Sequence, residues 1–495
     1  MNNERASYKT IIKSISIIGG AQVLNILFSI VRTKVVAIFV GPAGLGLLGM
    51  LQSLIDLTRT VCSLGLNFSS IKEIALAKAD SEPNKLITIL STLRVWTIVT
   101  GVFGFLVLFF GSDYLSLLTF GNNEYGFHVM LLSIAVLFGT LSASQLAIIQ
   151  GLQEVKHMAL CQLITGFTVT VLSIPIYYYF KEDGIAFSLI LISITSFAIG
   201  KLFLNNLNVD FHHNASLMSQ LLPGLDMIKL GFFMTINTLI SLLSLYFLRG
   251  YIADVSDMVS VGVFQASYAI ATTYLGLVLS SMLTDFFPRL SSHSQNNNLV
   301  NQSTNEQGTL TLIIGAPVVC ILLVFSTPIV SALYSSEFLG AAELLQWRLY
   351  STMFTLISWP VGVILLAKGK GHLSMIHDIA FNIVYVSFCI YFWDTFGLIS
   401  TSYACIPAVI LSMIILFFFT NRLTGFHYNK SYLKLAFCYV VLITIIMNGF
   451  YSNVNYIISS IFIILPLVLT LIISLYKLNQ IFNIKDVVRS KWRVK

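Results

Sequence analysis

Leu86-Ile-Thr-Ile-Leu-Ser-Thr-Leu-Arg94-Val-Trp-Thr-Ile-Val-Thr-Gly-Val-Phe-Gly-Phe-Leu-Val-Leu-Phe-Phe110 carries a single charge, Arg94, along its whole length. A helix needs about 20 mostly apolar residues to cross a bilayer core, and this stretch exceeds that. The runs Val129 to Ile149 and Val454 to Tyr476 reach the same length. Hydrophobic residues make up 56% of the 495 and charged residues 10%, against about 25% charged in an ordinary soluble domain. Such a chain has too little polar surface to stand alone in water. It reads as an all-α integral membrane protein. Fourteen helices are expected, centred near Leu24, Leu51, Thr97, Phe138, Val169, Leu191, Leu239, Tyr268, Val319, Phe354, Val384, Val409, Leu442 and Leu465. The gaps between them leave no room for a globular catalytic domain.

The charges assign sides. With a cytoplasmic N-terminus and alternating crossings, 22 of the 28 Lys and Arg fall in cytoplasmic gaps, tails and adjoining helix ends. The opposite side holds only Arg32, Lys34, Lys181 and Arg249, beside nine acids from Asp113 to Asp394. Positive charge is retained on the cytoplasmic side, so both termini are expected there. Arg5, Lys9 and Lys13 precede an apolar stretch as in a signal peptide, but no small-residue cleavage site follows, and an uncleaved first helix is expected. The basic C-terminal tail suits anionic inner-leaflet lipid rather than nucleic acid. The six Cys lie in apolar runs without a CxxC pair and read as small buried apolar residues.

A parallel internal repeat is visible. Ser29-Ile-Val-Arg32, then Val36-Ala37 and Gly46, are echoed by Tyr246-Phe-Leu-Arg249, Ile252-Ala253 and Gly262, offset by 217 and 216 residues. Gly151 with His157 is echoed by Gly369 with His372, the glycines 218 residues apart. The repeat predicts two six-helix lobes, residues 1–204 and 227–421, joined by a cytoplasmic linker over 205–226. Two added helices follow over 431–476, and a basic tail over 477–495. The Ser/Asn/Gln-rich gap from Ser291 to Gln307 reads as the most flexible cytoplasmic loop.

The stretch Lys34-Val-Val-Ala-Ile-Phe-Val-Gly-Pro-Ala-Gly-Leu-Gly-Leu-Leu-Gly-Met-Leu-Gln-Ser-Leu54 resembles the second-helix signature of Wzx-type flippases. These belong to the multidrug/oligosaccharidyl-lipid/polysaccharide exporter superfamily, and the likeness is strongest to the O-antigen and enterobacterial-common-antigen translocases. The fourteen spans, the repeat and the Gly151 and Gly369 turns agree with it along the chain. The resemblance implies a MATE-like fold, with two lobes around a central cavity. It also implies transport of undecaprenyl-pyrophosphate-linked oligosaccharide from the cytoplasmic to the periplasmic leaflet of the bacterial inner membrane. The expected partners are that lipid-linked substrate, membrane lipids, a polysaccharide polymerase and a chain-length regulator. No cofactor is implied.

Membrane-embedded charges are the candidate site. Asp56 and Arg59 are three residues apart and share a helix face. They are either a self-neutralising ion pair, or Arg59 attracts the pyrophosphate while Asp56 orients it or takes up a cation or proton. Arg32, Lys34 and Arg249, on the acidic side, are either headgroup anchors or substrate ligands, with the repeat equivalents Arg32 and Arg249 facing each other across the cavity. A guanidinium fork suits phosphate because it binds two oxygens at once. Arg348 either serves the cavity or pairs with Glu343 or Glu337 at the outer surface. Asp285 and Asp378 are further ion-coupling candidates, although their places near cytoplasmic helix ends suit interfacial residues.

Several chemistries lack their residues. Gly41-Pro-Ala-Gly-Leu-Gly46 is followed by no Gly-Lys-Ser/Thr, so it is not a nucleotide loop. His212-His213 and His372 have no nearby Cys or paired carboxylates, and no metal site is expected. No catalytic triad is apparent, so the chain reads as a transporter rather than an enzyme. A cation-coupled drug exporter of the same superfamily would favour acids over these arginines. An O-antigen polymerase or ligase would need a large extracytoplasmic loop.

Overall fold

The computed structural model describes residues 2–79, 83–207, 217–452 and 455–482. The expected tail from residue 483, the middle of the expected linker and His212-His213 lie outside the described residues, as do the side chains of Arg5, Lys9 and Lys13. Among the described residues there is no strand, and the order is α1 (Asn2–Phe39), α2 (Gly41–Ser63), α3 (Leu66–Ala79), α4 (Pro83–Phe120), α5 (Gly126–Gly151), α6 (Val155–Phe180), α7 (Gly184–Asn206), α8 (Leu217–Val255), α9 (Met258–Ser292), α10 (Asn297–Val324), α11 (Ser326–Leu333), α12 (Gly340–Ala367), α13 (Gly371–Tyr391), α14 (Trp393–Phe396), α15 (Ser400–Tyr403), α16 (Cys405–Thr424), α17 (Lys430–Tyr451) and α18 (Tyr456–Phe482). In a bilayer every backbone N–H and C=O must be paired within the protein, and long helices meet that demand within a single segment.

Each of the fourteen expected centres falls in a long helix. Twelve helices are both long and apolar enough to cross a membrane among the described residues. The chain is a multi-pass membrane protein. The long helices outside the twelve are α2 and α9, the second of each repeat. Polar side chains spaced along α2 lower its apolarity. It tolerates them because Gly44 to Ser63 is mostly buried against α4, α5, α7 and α8 rather than turned to lipid.

Helix starts follow the repeat. Gly41 of α2 and Met258 of α9 are 217 residues apart, Gly126 of α5 and Gly340 of α12 are 214 apart, and Val155 of α6 and Gly371 of α13 are 216 apart. By compactness the chain forms two units, Met1–Gly262 with Leu333–Ser335, and Val263–Ala332 with Ser336–Lys495. In the first, Leu66, Ile74, Leu90, Leu93, Ile148, Ile149 and Leu204 form a core joining α3, α4, α5 and α7. In the second, Phe286, Leu290, Val300, Val361, Ile364, Leu416 and Phe426 join α9, α10, α12 and α16.

The expected loop from Ser291 to Gln307 is mostly helix. Asn296 caps α10, accepting from the N–H groups of Asn298 (3.1 Å) and Leu299 (3.3 Å). The amides that suggested a solvated loop are structural. Asn301 Nδ2 donates to Thr424 O (3.0 Å), Asn305 Nδ2 donates to His427 O (3.1 Å), and Asn305 Oδ1 accepts from Asn429 N (2.8 Å). These bonds tie α10 to the turn between α16 and α17.

Candidate functional site

Gln52, Asp56, Arg59 and Ser63 recur at intervals of four, three and four along α2, the spacing of one helix face. Asp56 and Arg59 open on a cavity of ≈ 330 Å³ in the first unit, lined also by Thr60, Ser63, Thr140 of α5, and Thr235 and Thr238 of α8. The two charges do not form a contact ion pair among the described residues. Asp56 Oδ1 accepts from Gln52 Nε2 (3.1 Å), and Arg59 Nη2 donates to Gly139 O of α5 (2.9 Å). Gly139 has a steric reason. A Cβ there would stand 3.2 Å from Arg59 Cζ and Nε, so a larger residue would make the guanidinium give way by a few tenths of an ångström.

A second arginine enters from α8. Arg249 is buried, 5% exposed, and its Nη1 donates to Gly49 O of α2 (3.0 Å) and to Ser53 Oγ. The field of both Arg59 and Arg249 reaches Asp56. Arg59 and Asp56 line the cavity, while Arg249 sits beside it, bonded to Gly49 and Ser53 earlier on α2. The α8 helix is held in register by Tyr246, whose hydroxyl bonds Thr119 Oγ1 of α4 at 2.5 Å. At the far end of the cavity the α2–α3 turn meets α8 backbone to backbone. Gly65 has φ +79°, and a Cβ there would come within 2.5 Å of Gly231 O, so two glycines set the closeness of α2 and α8.

The remaining candidates are scattered. Arg32 is half-buried on α1, its charge acting on buried Tyr177 of α6. Tyr177 in turn bonds Ser188 Oγ of α7 at 2.6 Å. Lys34 donates to Tyr334 O. Arg348 lies in the core of the second unit rather than at the surface beside Glu343 or Glu337. It is 8% exposed, donates to Tyr385 OH (3.0 Å) and Thr401 O (3.3 Å), and lies over the rings of Phe264 (5.4 Å) and Tyr268 (5.3 Å). The π faces and neutral oxygens stabilise its charge without a carboxylate. Asp285 is exposed, 3.9 Å from Arg289 on the next turn. Asp378 is half-buried against its neighbour His377 (3.0 Å). Gly139, Thr235 and Thr238 escaped the sequence reading, since nothing local marks a residue that only the fold brings to Arg59 or to the cavity.

A family model described as "Polysaccharide biosynthesis protein" matches residues 11–294. No curated protein matches the chain in sequence. Among solved structures, the inward-facing conformation of a multidrug resistance MATE family transporter of the MOP superfamily is 14% identical, with TM-score 0.71, over 82% of this chain and 95% of that one. The lipid II flippase MurJ in an inward closed conformation is 15% identical, with TM-score 0.67, over 95% and 99%. A MOP superfamily transporter from Pyrococcus furiosus is 15% identical, with TM-score 0.60, over 83% and 96%. At these identities the likeness is one of fold, and the fold is MATE-like.

Proposed function

We propose that this chain, which belongs to the polysaccharide biosynthesis protein family, translocates a lipid-linked oligosaccharide across the bacterial inner membrane. The substrate class is undecaprenyl pyrophosphate bearing an O-antigen repeat unit or a similar glycan, moved from the cytoplasmic to the periplasmic leaflet by alternating access. The observation that carries this reading is the cavity of α2, α5 and α8, lined by Arg59 and one carboxylate, Asp56, with Arg249 buried beside it on Gly49 and Ser53. A pyrophosphate cannot enter hydrocarbon alone. The Arg59 guanidinium, fixed on Gly139 O, replaces part of its hydration. The threonine hydroxyls lining the cavity can accept or donate as the head group turns.

In this reading Arg59 is the first pyrophosphate ligand and Asp56 sets its orientation. Arg32 and Lys34 attract the anion at the outer end. Arg348 positions α13 and α15, because it and Tyr385 OH both donate to Thr401 O. Asp56 is the first candidate for a coupling ion or proton, since Asp285 and Asp378 already face Arg289 and His377. The lipid tail stays in the bilayer, both termini lie in the cytoplasm, and a polysaccharide polymerase and a chain-length regulator act downstream.

The test is reconstitution into vesicles with a fluorescent undecaprenyl-pyrophosphate-linked oligosaccharide in one leaflet. Its appearance in the other leaflet only when the protein is present is the expected result. Ion-driven efflux of cationic drugs, with no movement of this lipid, would overturn the reading in favour of an exporter.

A further inference from the structure

The first unit holds a second cavity, of ≈ 370 Å³, among α1, α5, α6 and α7, which the cationic site does not use. Its polar lining includes Gln22 and Asn25 of α1, Ser142 of α5, Gln162 and Thr165 of α6, and Ser196 of α7. No lining residue carries a charge. Polar side chains in membrane helices commonly serve as hydrogen-bonded glue between helices. These do not. Among the described residues Gln22, Asn25, Ser142 and Gln162 make no hydrogen bond to another helix, and Ser196 Oγ donates only to Ile192 O of its own helix (2.6 Å). Beside them the Gln145 Oε1 atom is buried without a hydrogen-bond partner, next to the Gly200 backbone. Three amides and the Ser142 hydroxyl thus remain unspent in a part of the protein where an unpaired polar group is costly.

We infer that this cavity is a saccharide subsite: it takes sugar hydroxyl and N-acetyl groups of the glycan head. The inference rests on the flippase reading above. An amide offers both donor and acceptor, the pattern a ring of vicinal hydroxyls complements. The absence of any charge in the lining disfavours a phosphate or a divalent cation as occupant. Gln22, Asn25, Ser29 and Arg32 lie three, four and three residues apart on one face of α1. That stripe runs from the amides to a guanidinium about 15 Å away at 1.5 Å per residue, as a sugar chain joined to a phosphate requires.

The experiment uses the full-length protein in vesicles with two probes, undecaprenyl pyrophosphate bearing one N-acetylhexosamine and the same lipid bearing a tetrasaccharide. Asn25→Leu/Gln162→Leu should raise the KM for the tetrasaccharide lipid roughly 25-fold, about fivefold for each lost neutral hydrogen bond, and leave the one-sugar lipid unchanged. Gly166→Ala, whose Cβ would come within 2.7 Å of Asn25 Oδ1, should act in the same direction without removing a polar group. Free N,N′-diacetylchitobiose should show saturation-transfer NMR contacts with the detergent-solubilised wild type and lose them in the double variant. Equal loss for both lipids, or unchanged kinetics for both with unchanged NMR contacts, would overturn the subsite. Saccharide contacts in a protein that flips neither lipid would overturn the transport reading and leave the subsite standing.

Discussion

Arg59→Gln removes a charge while keeping a polar side chain of moderate length, and its effect separates a substrate ligand from a structural ion pair. In the wild type the guanidinium is anchored by one bond to Gly139 O (2.9 Å), which leaves its other N–H groups for the cavity. A cation and a phosphate charge 4 Å apart attract by about 4 kcal/mol at an effective dielectric of 20. Part of that is spent in desolvating the phosphate, so the net worth should match a charged hydrogen bond, about 1.5–3 kcal/mol. Transport of the lipid-linked oligosaccharide, as kcat/KM in vesicles, should therefore fall about 10- to 150-fold. Arg59→Lys keeps the charge but loses the fork, and should fall about fivefold. Neither variant should lose protein, because Asp56 keeps its hydrogen bond from Gln52 (3.1 Å) and is not stranded. Asp56→Asn leaves the two arginines without their carboxylate and should accumulate less. The double variant Asp56→Asn/Arg59→Gln should be well folded and inactive. Normal transport by that double variant would eliminate Arg59 as a substrate ligand.

Three further outcomes are expected. Gly139→Ala pushes a methyl group against the Arg59 guanidinium, 3.2 Å from Cζ, and should lower transport about tenfold with unchanged protein levels; transport equal to the wild type would mean that the seat of Arg59 on α5 is unimportant. Arg348→Met should lower the Tm of the detergent-solubilised protein, since it removes the links to Tyr385 and Thr401; lost transport at an unchanged Tm would make Arg348 a substrate ligand instead. An alkaline phosphatase fused after Lys495 should be inactive and one after Asp254 active, and the reverse pattern would invert the side assignment.

The helices were legible because membrane crossing is a long-window property: each expected centre lies inside a long helix. The helix α3 escaped because its fourteen residues carry Lys72, Glu73 and Lys78 and are too short to span. The loop expected from Ser291 to Gln307 failed for a different reason. Asparagine reads as solvent-seeking in sequence, but Asn301 and Asn305 spend their amides on carbonyls more than a hundred residues away. At the site, the shared face of Asp56 and Arg59 followed from helical spacing alone. Their partners did not. Gly139 lies 80 residues from Arg59, and Arg249 reaches Gly49 across 200. Arg348 shows the same limit: a lone charge near Glu343 suggests a surface pair, whereas its stabilising groups are rings and carbonyls recruited from other helices.

The sheltered polar face of α2 sets a condition on biogenesis. A helix leaving the translocon is judged by its own apolarity, and an Asp or Arg near its centre costs about 2.5–3.5 kcal/mol each on insertion scales. Before α4 and α5 have been synthesised, nothing covers Asp56 and Arg59, and the carbonyl that receives Arg59 belongs to Gly139. The second helix therefore cannot settle by partitioning alone. It must be retained beside α1 until more than seventy further residues have emerged, so the charges that equip the cavity also dictate the order in which the first unit is assembled.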